Sequence, residues 1–214
     1  MAIVFDAVSA KEQVSSTSST MAFTIGAVSN PVLVVFFRIY GTTDLVTGVT
    51  YNGVAMTRLQ IATEAGQRFY TYYLGGAATG NHNIVITVSS TIAIGPVQAI
   101  SYSGAAVIAD GYTAKNQADA SSITLTETVT AGNSWQVCFT TNDNNENSTP
   151  GAGTTERIDP GAGIYGGPIN DSNGPLAPGS RSLIVNNTYS RFGMIVSIAP
   201  FVAPPVVGKM FLMF

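Results

Sequence analysis

The chain has 214 residues, of which 45% are hydrophobic and only 10% are charged. This length allows a core without metal ions or disulfides, and a single cysteine excludes an internal disulfide framework. The net charge is −3 and the nine Lys and Arg residues are scattered, so the basic stripe needed for nucleic-acid binding is missing. A polar, weakly charged surface suits packing against copies of the same chain, although an ordinary secreted β-domain would have the same composition.

The first residues indicate an opening strand rather than a targeting segment. A secretory signal has a basic start and an apolar stretch of roughly 7–15 residues, whereas here Asp6 interrupts the apolar stretch and the first lysine is Lys11. We therefore expect no signal peptide. The most apolar long stretch, residues 192–214, contains three prolines and Lys209, so we also expect no membrane-spanning helix.

Short segments rich in Val, Ile, Thr, Phe and Tyr follow one another, each closed by Gly, Asn, Ser or Pro, as is typical of an all-β protein. The segment Val32–Tyr40 is apolar at nearly every position, which predicts a strand buried on both faces. Asn52-Gly53 between two β-prone runs predicts a tight hairpin, because both positions favour φ > 0. The predicted strands of this half cover residues 2–8, 20–25, 32–40, 46–51, 54–62, 67–74, 83–89 and 95–103.

A polar link at residues 115–121 is predicted to precede a second group of strands. A polar loop over residues 142–153 and a loop rich in Gly, Pro and Asn over residues 160–178 interrupt this group. So many short strands suit a jelly roll with additional strands. We predict one jelly-roll-type antiparallel β-sandwich over residues 1–200 and an extended apolar C-terminal arm over residues 201–214. The strands predicted in the second group cover residues 122–128, 134–141, 154–158, 181–185 and 191–200.

Several turn motifs occur in a characteristic order. Residues 49–58 read VTYNGVAMTR and residues 78–88 read ATGNHNIVITV, with Tyr72-Tyr73-Leu74 between them. Residues 151–157 (GAGTTER) and 171–175 (DSNGP) come later. This order resembles a jelly-roll-like β-sandwich domain of bacterial surface proteins and of structural proteins of tailed phages, over roughly residues 20 to 200. The resemblance implies a fold but no activity, since its motifs are mostly turn chemistry. The additional N-terminal strand and the apolar tail depart from it.

The residues that can carry catalysis are not arranged for it. A Ser-His-Asp or Cys-His site needs a base within hydrogen-bond reach of a nucleophile. His82, the only histidine, is predicted in a turn, and Cys138 in a core strand. Asp143 and Glu146 offer oxygen ligands for Ca²⁺, but without the spacing of an EF-hand loop, so a solvated loop is favoured. We predict no enzyme activity, no cofactor and no metal site.

Four aromatic residues alternate along the predicted strand at residues 67–74. Tyr70 and Tyr72 point to one face, and Phe69 and Tyr73 to the other. One pair is predicted in the core. The other pair either packs against neighbouring strands or is exposed, in which case Tyr70 and Tyr72 are the possible glycan contacts.

The C-terminal segment is apolar to its last residue. Each large side chain left in water loses about 1.5–3 kcal/mol of burial free energy, and Pro204-Pro205 favours an extended backbone. The segment therefore either folds back on its own sandwich or inserts into a neighbour, and we expect the neighbour, as in strand addition to another sheet. The predicted assembly interface consists of Val206, Val207, Met210, Phe211, Leu212, Met213 and Phe214.

These features lead to one functional hypothesis and two alternatives. The chain is expected to be a virion structural protein, a phage capsid decoration or cement protein made in the cytoplasm. Its expected partners are other copies of itself and virion proteins such as the major capsid protein, not nucleic acid or a membrane. The first alternative is a glycan- or receptor-binding module of a fibre or adhesin, and the second is a subunit of an extracellular filament.

Overall fold

The computed structural model describes residues 1–142, 147–160 and 167–203. Within these ranges the chain forms fourteen strands and no helix, so no described helix is long and apolar enough to cross a membrane. The predicted all-β class is confirmed, and every strand pairing is antiparallel. The strands are β1 (Val4–Lys11), β2 (Val14–Ile25), β3 (Val32–Tyr40), β4 (Val46–Tyr51), β5 (Val54–Ala55), β6 (Thr57–Glu64), β7 (Gln67–Gly75), β8 (Gly80–Ser103), β9 (Gly111–Val129), β10 (Trp135–Asn142), β11 (Thr149–Pro150), β12 (Thr155–Ile158), β13 (Ile169–Asp171) and β14 (Gly179–Ile198).

The first sheet has the order β5-β4-β8-β3-β7-β6, and β1 and β2 also pair with β8. The long strand β8 changes partners along its length. Its first part, residues 80–94, pairs with β2 and β4 and, at Ile94 alone, with β3. Its last part, residues 97–103, pairs with β1 and β3. The sheet thereby folds over on itself near Gly95. Apolar side chains from both parts of β8 meet in one core, together with side chains of β2, β3, β4 and β7.

The second sheet has the order β11-β14-β10-β13-β12, and β9 also pairs with β14. Its long strand β14 keeps one partner, β9, along residues 179–186 and 190–197, with register shifts between the two stretches. Ile123 and Leu183 from the first stretch pack with Cys138 and Ile195 in a small core. This sheet also folds over on itself.

A further core joins the two sheets. It contains Phe36, Phe69 and Tyr102 of the first sheet, and Phe139 and Phe192 of the second. The inner layer of the first sheet is therefore covered on both sides. This arrangement confirms the prediction for β3, whose side chains point alternately into the inter-sheet core (Val32, Val34, Phe36) and the first core (Leu33, Val35, Phe37, Ile39).

The Asn52-Gly53 hairpin is confirmed. Both residues have positive φ, 49° and 74°, and Tyr51 pairs with Val54 across the turn. Positive φ at both positions is the turn geometry that Asn-Gly predicts.

Three predictions about breaks between strands are wrong. Residues 115–121, predicted as a polar link, lie within β9, and residues 90–94, the gap between two predicted strands, lie within β8. The predicted loop at residues 160–178 contains β13, all three residues of which are buried. The physical reason is the same in each case: strand pairing uses the backbone, so a polar stretch remains in the ladder when a neighbouring strand lies alongside it.

Candidate functional site

Three separate segments of the chain meet at one end of the sandwich. The backbone N–H of Ala106 donates to the carbonyl of Ala199 (2.8 Å), and that of Phe201 donates to Gly104 (2.8 Å). The amino group of Met1 lies 3.3 Å from the carbonyl oxygen of Phe201. The N-terminus, the loop of residues 104–110 and residues 199–203 therefore lie side by side.

Each of these segments exposes a large apolar side chain. The exposed fractions are 67% for Met1, 62% for Val107, 77% for Ile108 and 80% for Val202. We call the surface formed by these four residues the apolar end. Single exposed hydrophobic residues are ordinary on protein surfaces. These four lie on segments that backbone hydrogen bonds hold side by side, which makes this end a candidate interaction site.

The loop that carries Val107 and Ile108 is fixed on both sides. The hydroxyl of Tyr73 donates to the carbonyl of Ala106 (2.7 Å), and a Cβ added at Gly75 would lie only 2.3 Å from the Val107 backbone. At the other side, the backbone N–H of Asp110 donates to the carbonyl of Ser197 (2.8 Å). A fixed backbone holds the two apolar side chains on the surface, so they are preorganised for contact with a partner.

A groove of about 370 Å³ adjoins the apolar end through Met1. Trp135, a residue of the inter-sheet core with 8% of its surface exposed, lies at the bottom of the lining. The lining residues are Met1, Ala2, Ile3, Asn133, Trp135 and Pro175.

The seven residues of the predicted assembly interface lie outside the described residues. The last described residues, Val202 and Ala203, follow directly from Phe201 and belong to the segment at the apolar end. The prediction for Val206, Val207, Met210, Phe211, Leu212, Met213 and Phe214 stays a prediction.

Sequence reasoning missed the contribution of Met1, Val107 and Ile108. The available signal was the pair Val107-Ile108 between Gly104 and Gly111, apolar residues in a short segment with glycines at both ends. From the sequence alone, such a pair is indistinguishable from the end of a core strand.

The structure contradicts the proposed glycan contact at Tyr70 and Tyr72. Tyr70 is 0% exposed and Tyr72 is 5% exposed, and both rings stack on Phe37, with centroid distances of 5.0 and 5.8 Å. Phe69 and Tyr73 are also buried, in the inter-sheet core. The expectation of an exposed pair fails because both faces of β7 are covered, so the packing alternative is the correct one.

The two candidate catalytic residues lie in different sheets. His82 is on β8, with Nε2 3.0 Å from the carbonyl oxygen of Thr79 and its ring edge-on to Tyr51. Cys138 is on β10 in the small core of the second sheet, where burial raises the pKa of its thiol. A buried protonated thiol is a poor nucleophile.

No group of three or more His, Cys, Asp and Glu side chains within the described ranges is placed to hold a metal ion. Asp143 and Glu146, the sequence-based candidates for Ca²⁺, lie outside those ranges.

Comparison with known proteins adds no family to this picture. No protein-family model matches the chain, and no curated protein matches its sequence. Function therefore has to be argued from the apolar end and from the sequence of the segment that follows it.

Proposed function

We propose that this chain is a virion structural protein, a capsid decoration or cement protein of a tailed phage, which attaches through its apolar end and residues 201–214. The observation that carries the proposal is the position of Met1, Val107, Ile108 and Val202 around the segment that continues into the apolar C-terminal residues. Of these four residues, Val202 belongs to the same segment of the sequence as the predicted interface.

The energetics favour association through this region. Burying apolar surface contributes roughly 25 cal/mol for each Å² removed from water, and four large side chains at the apolar end are more than half exposed. The loop that carries two of them, Val107 and Ile108, is held by hydrogen bonds at Ala106 and Asp110, so little conformational entropy of this loop is lost on binding. The low content of charged residues, 10% of the chain, reduces repulsion between like subunits.

The proposed mechanism needs no chemical step. Residues 204–214 of one subunit lie against the apolar end and the adjoining groove of the next subunit or of the shell. Many such contacts around a lattice stabilise the shell by burial of surface. The resemblance of the turn motifs to jelly-roll-like domains of bacterial surface proteins and of tailed-phage structural proteins supports a structural role in an assembly.

A fibre or adhesin that binds glycans through Tyr70 and Tyr72 is no longer supported, because both rings are buried. The extracellular-filament alternative uses the same apolar surface. Electron microscopy of the assembled protein separates the two remaining readings, since a filament subunit forms open polymers by itself.

The first test compares the full chain with a chain that ends at Ala203. The shorter chain keeps the hydrogen bonds of Phe201 to Gly104 and Met1, so we expect it to stay folded. Sedimentation velocity over a range of concentrations should show association of the full chain and a monomer for the shorter one. A full chain that stays monomeric at high concentration, and does not sediment with phage shells, would remove the proposal.

A pair of point variants tests the apolar end itself. Ile108→Asp places a charge on a residue that is 77% exposed, so the folded monomer should be unaffected while association weakens. Val54→Asp is the matched control, because Val54 is 53% exposed but lies on β5 in the outer layer of the first sheet. Equal loss of association in both variants would assign the interface to another surface.

A further inference from the structure

The edge of the second sheet holds polar side chains that are buried without partners. Glu156 of β12 lies directly opposite Asn170 of β13, and Asn170 lies opposite Cys138 of β10. Residues opposite each other in antiparallel strands share a face and have adjacent side chains. Asn170 is 0% exposed, yet neither Oδ1 nor Nδ2 has a hydrogen-bond partner, and the buried Oε2 of Glu156 has none either.

A β-bulge brings a second carboxylate to this face. The register shifts between Glu156 and Ile158, so Arg157 points to the inter-sheet core while Asp159 returns to the side of Glu156. Burial, and next the negative charge of Asp159, raise the pKa of Glu156, as expected for two neighbouring carboxylates.

The segment before β11 adds a further oxygen to the group. The backbone N–H of Ser148 donates to Oδ2 of Asp159 over 2.7 Å, so Ser148 lies next to Asp159. Its Oγ is buried and has no hydrogen-bond partner. Glu156, Asp159, Asn170 and Ser148 thus gather side-chain oxygens from three parts of the chain.

Buried polar groups in folded proteins are almost always satisfied, and a cluster of exceptions calls for a water or an ion. Two carboxylates with an amide and a hydroxyl oxygen are the ligand types that Ca²⁺ takes. The set contains no imidazole and no thiol, so softer transition metals are disfavoured. We propose that Glu156, Asp159, Asn170 and Ser148 bind a hard divalent cation, Ca²⁺, which ties β12 and β13 to the segment before β11.

This inference is independent of the proposed assembly function. A cation here neutralises the repulsion between Glu156 and Asp159 and gives Asn170 and Ser148 the partner that they lack. Because the ligands come from different strands, binding stabilises the folded state over the unfolded one. The thermal midpoint of the full chain should therefore rise with the concentration of Ca²⁺.

The test is calorimetric titration of the full chain, stripped with EDTA, with CaCl₂, alongside thermal denaturation with and without CaCl₂. We expect one site per chain, and an affinity at least tenfold lower in Glu156→Gln and Asp159→Asn. Glu12→Gln, which removes the same charge from an exposed residue, should bind Ca²⁺ like the unaltered chain.

Measurements in EDTA separate loss of the site from loss of the fold. Without the cation, Glu156→Gln relieves carboxylate repulsion, so its thermal midpoint should equal or exceed that of the unaltered chain, and CaCl₂ should no longer raise it. The proposal fails if about 5 mM CaCl₂, above the range of weak protein sites, gives no binding heat and no thermal shift. It fails equally if Glu156→Gln responds to CaCl₂ as the unaltered chain does.

Discussion

The guanidinium of Arg157 donates through Nε to Oδ2 of Asp171 over 2.7 Å, and Asp171 has no exposed surface. The hydroxyl of Tyr102, which belongs to the first sheet, donates to the same carboxylate oxygen over 2.9 Å. The guanidinium also lies 4.3 Å from the ring centroid of Phe5 on β1. This ion pair of the second sheet thus contacts two residues of the first sheet, Tyr102 by a hydrogen bond and Phe5 by a cation–π contact. It therefore fixes the position of one sheet relative to the other.

We predict that Asp171→Asn strongly destabilises the protein. The change keeps the shape of the side chain but leaves Arg157, whose side chain is only 15% exposed, without its counter-charge. Removing one partner of a buried ion pair costs about 3–5 kcal/mol. Urea denaturation measures this loss, and a change below about 1 kcal/mol would show that the pair does not hold the sheets together.

The ion pair between Arg58 and Asp44 provides the exposed counterpart. It has the same length, 2.7 Å, but its side chains are 42% and 33% exposed. Exposed pairs contribute about 0.2–1 kcal/mol, so Asp44→Asn should lower the unfolding free energy far less than Asp171→Asn does. Similar losses in the two variants would contradict the role assigned to burial.

The contribution of Asp44 to the free energy of unfolding should also depend on pH. Burial raises the pKa of this carboxyl, but hydrogen bonds from Tyr70 and Arg58 outweigh it, and the folded-state pKa is lower than the ordinary value of 3.8. Stabilisation is therefore complete above the unfolded-state pKa and disappears as the pH falls through the folded-state pKa. The difference in unfolding free energy between the unaltered chain and Asp44→Asn should shrink between neutral pH and about pH 2. A difference that is constant with pH would refute this assignment.

The sequence predicts the strands well wherever burial follows a simple pattern. The apolar run of β3 indicated burial on both faces, and Asn52-Gly53 indicated the hairpin, because each is a local property of the chain. The three buried residues of β13 were missed because two of them, Asn170 and Asp171, are polar. The partners that allow Asp171 to be buried, Arg157 and Tyr102, are distant in sequence.

At the candidate site, too, the sequence shows local composition but not the contacts between segments that are far apart in the chain. The apolar composition of the C-terminal segment could be read directly from the sequence, but its neighbours Met1, Val107 and Ile108 are brought to it by backbone hydrogen bonds between remote segments. The sequence left both packing and surface exposure open for Tyr70 and Tyr72, because tyrosine is compatible with both environments. Only the folding of the first sheet over itself determines that they are buried.

Cys138 should be unreactive in the native protein. It has no exposed surface, and burial raises the pKa of its thiol well above the usual value, so little thiolate is present or accessible at about pH 8. An aromatic disulfide reagent should modify it only as urea unfolds the chain, with the same midpoint as the loss of Trp135 fluorescence. Rapid modification without urea would show that the small core of the second sheet opens easily.

The folding of the first sheet depends on Gly95, and a pair of glycine variants tests this. Gly95 has φ +118°, and an added Cβ would lie 2.9 Å from Cα of Gln13 in the link between β1 and β2. Gly53 also has positive φ, +74°, but an added Cβ there would meet nothing within 4 Å.

Gly53→Ala should therefore cost about 1–2 kcal/mol, the backbone penalty of a left-handed residue. Gly95→Ala should cost more, because the added Cβ also collides with the backbone of Gln13, and no side-chain rotation relieves that collision. Urea denaturation of both variants gives the comparison. If Gly95→Ala is as stable as Gly53→Ala, the β1–β2 link does not pack against β8 where β8 bends near Gly95. The two parts of β8 are then held together by the apolar core alone.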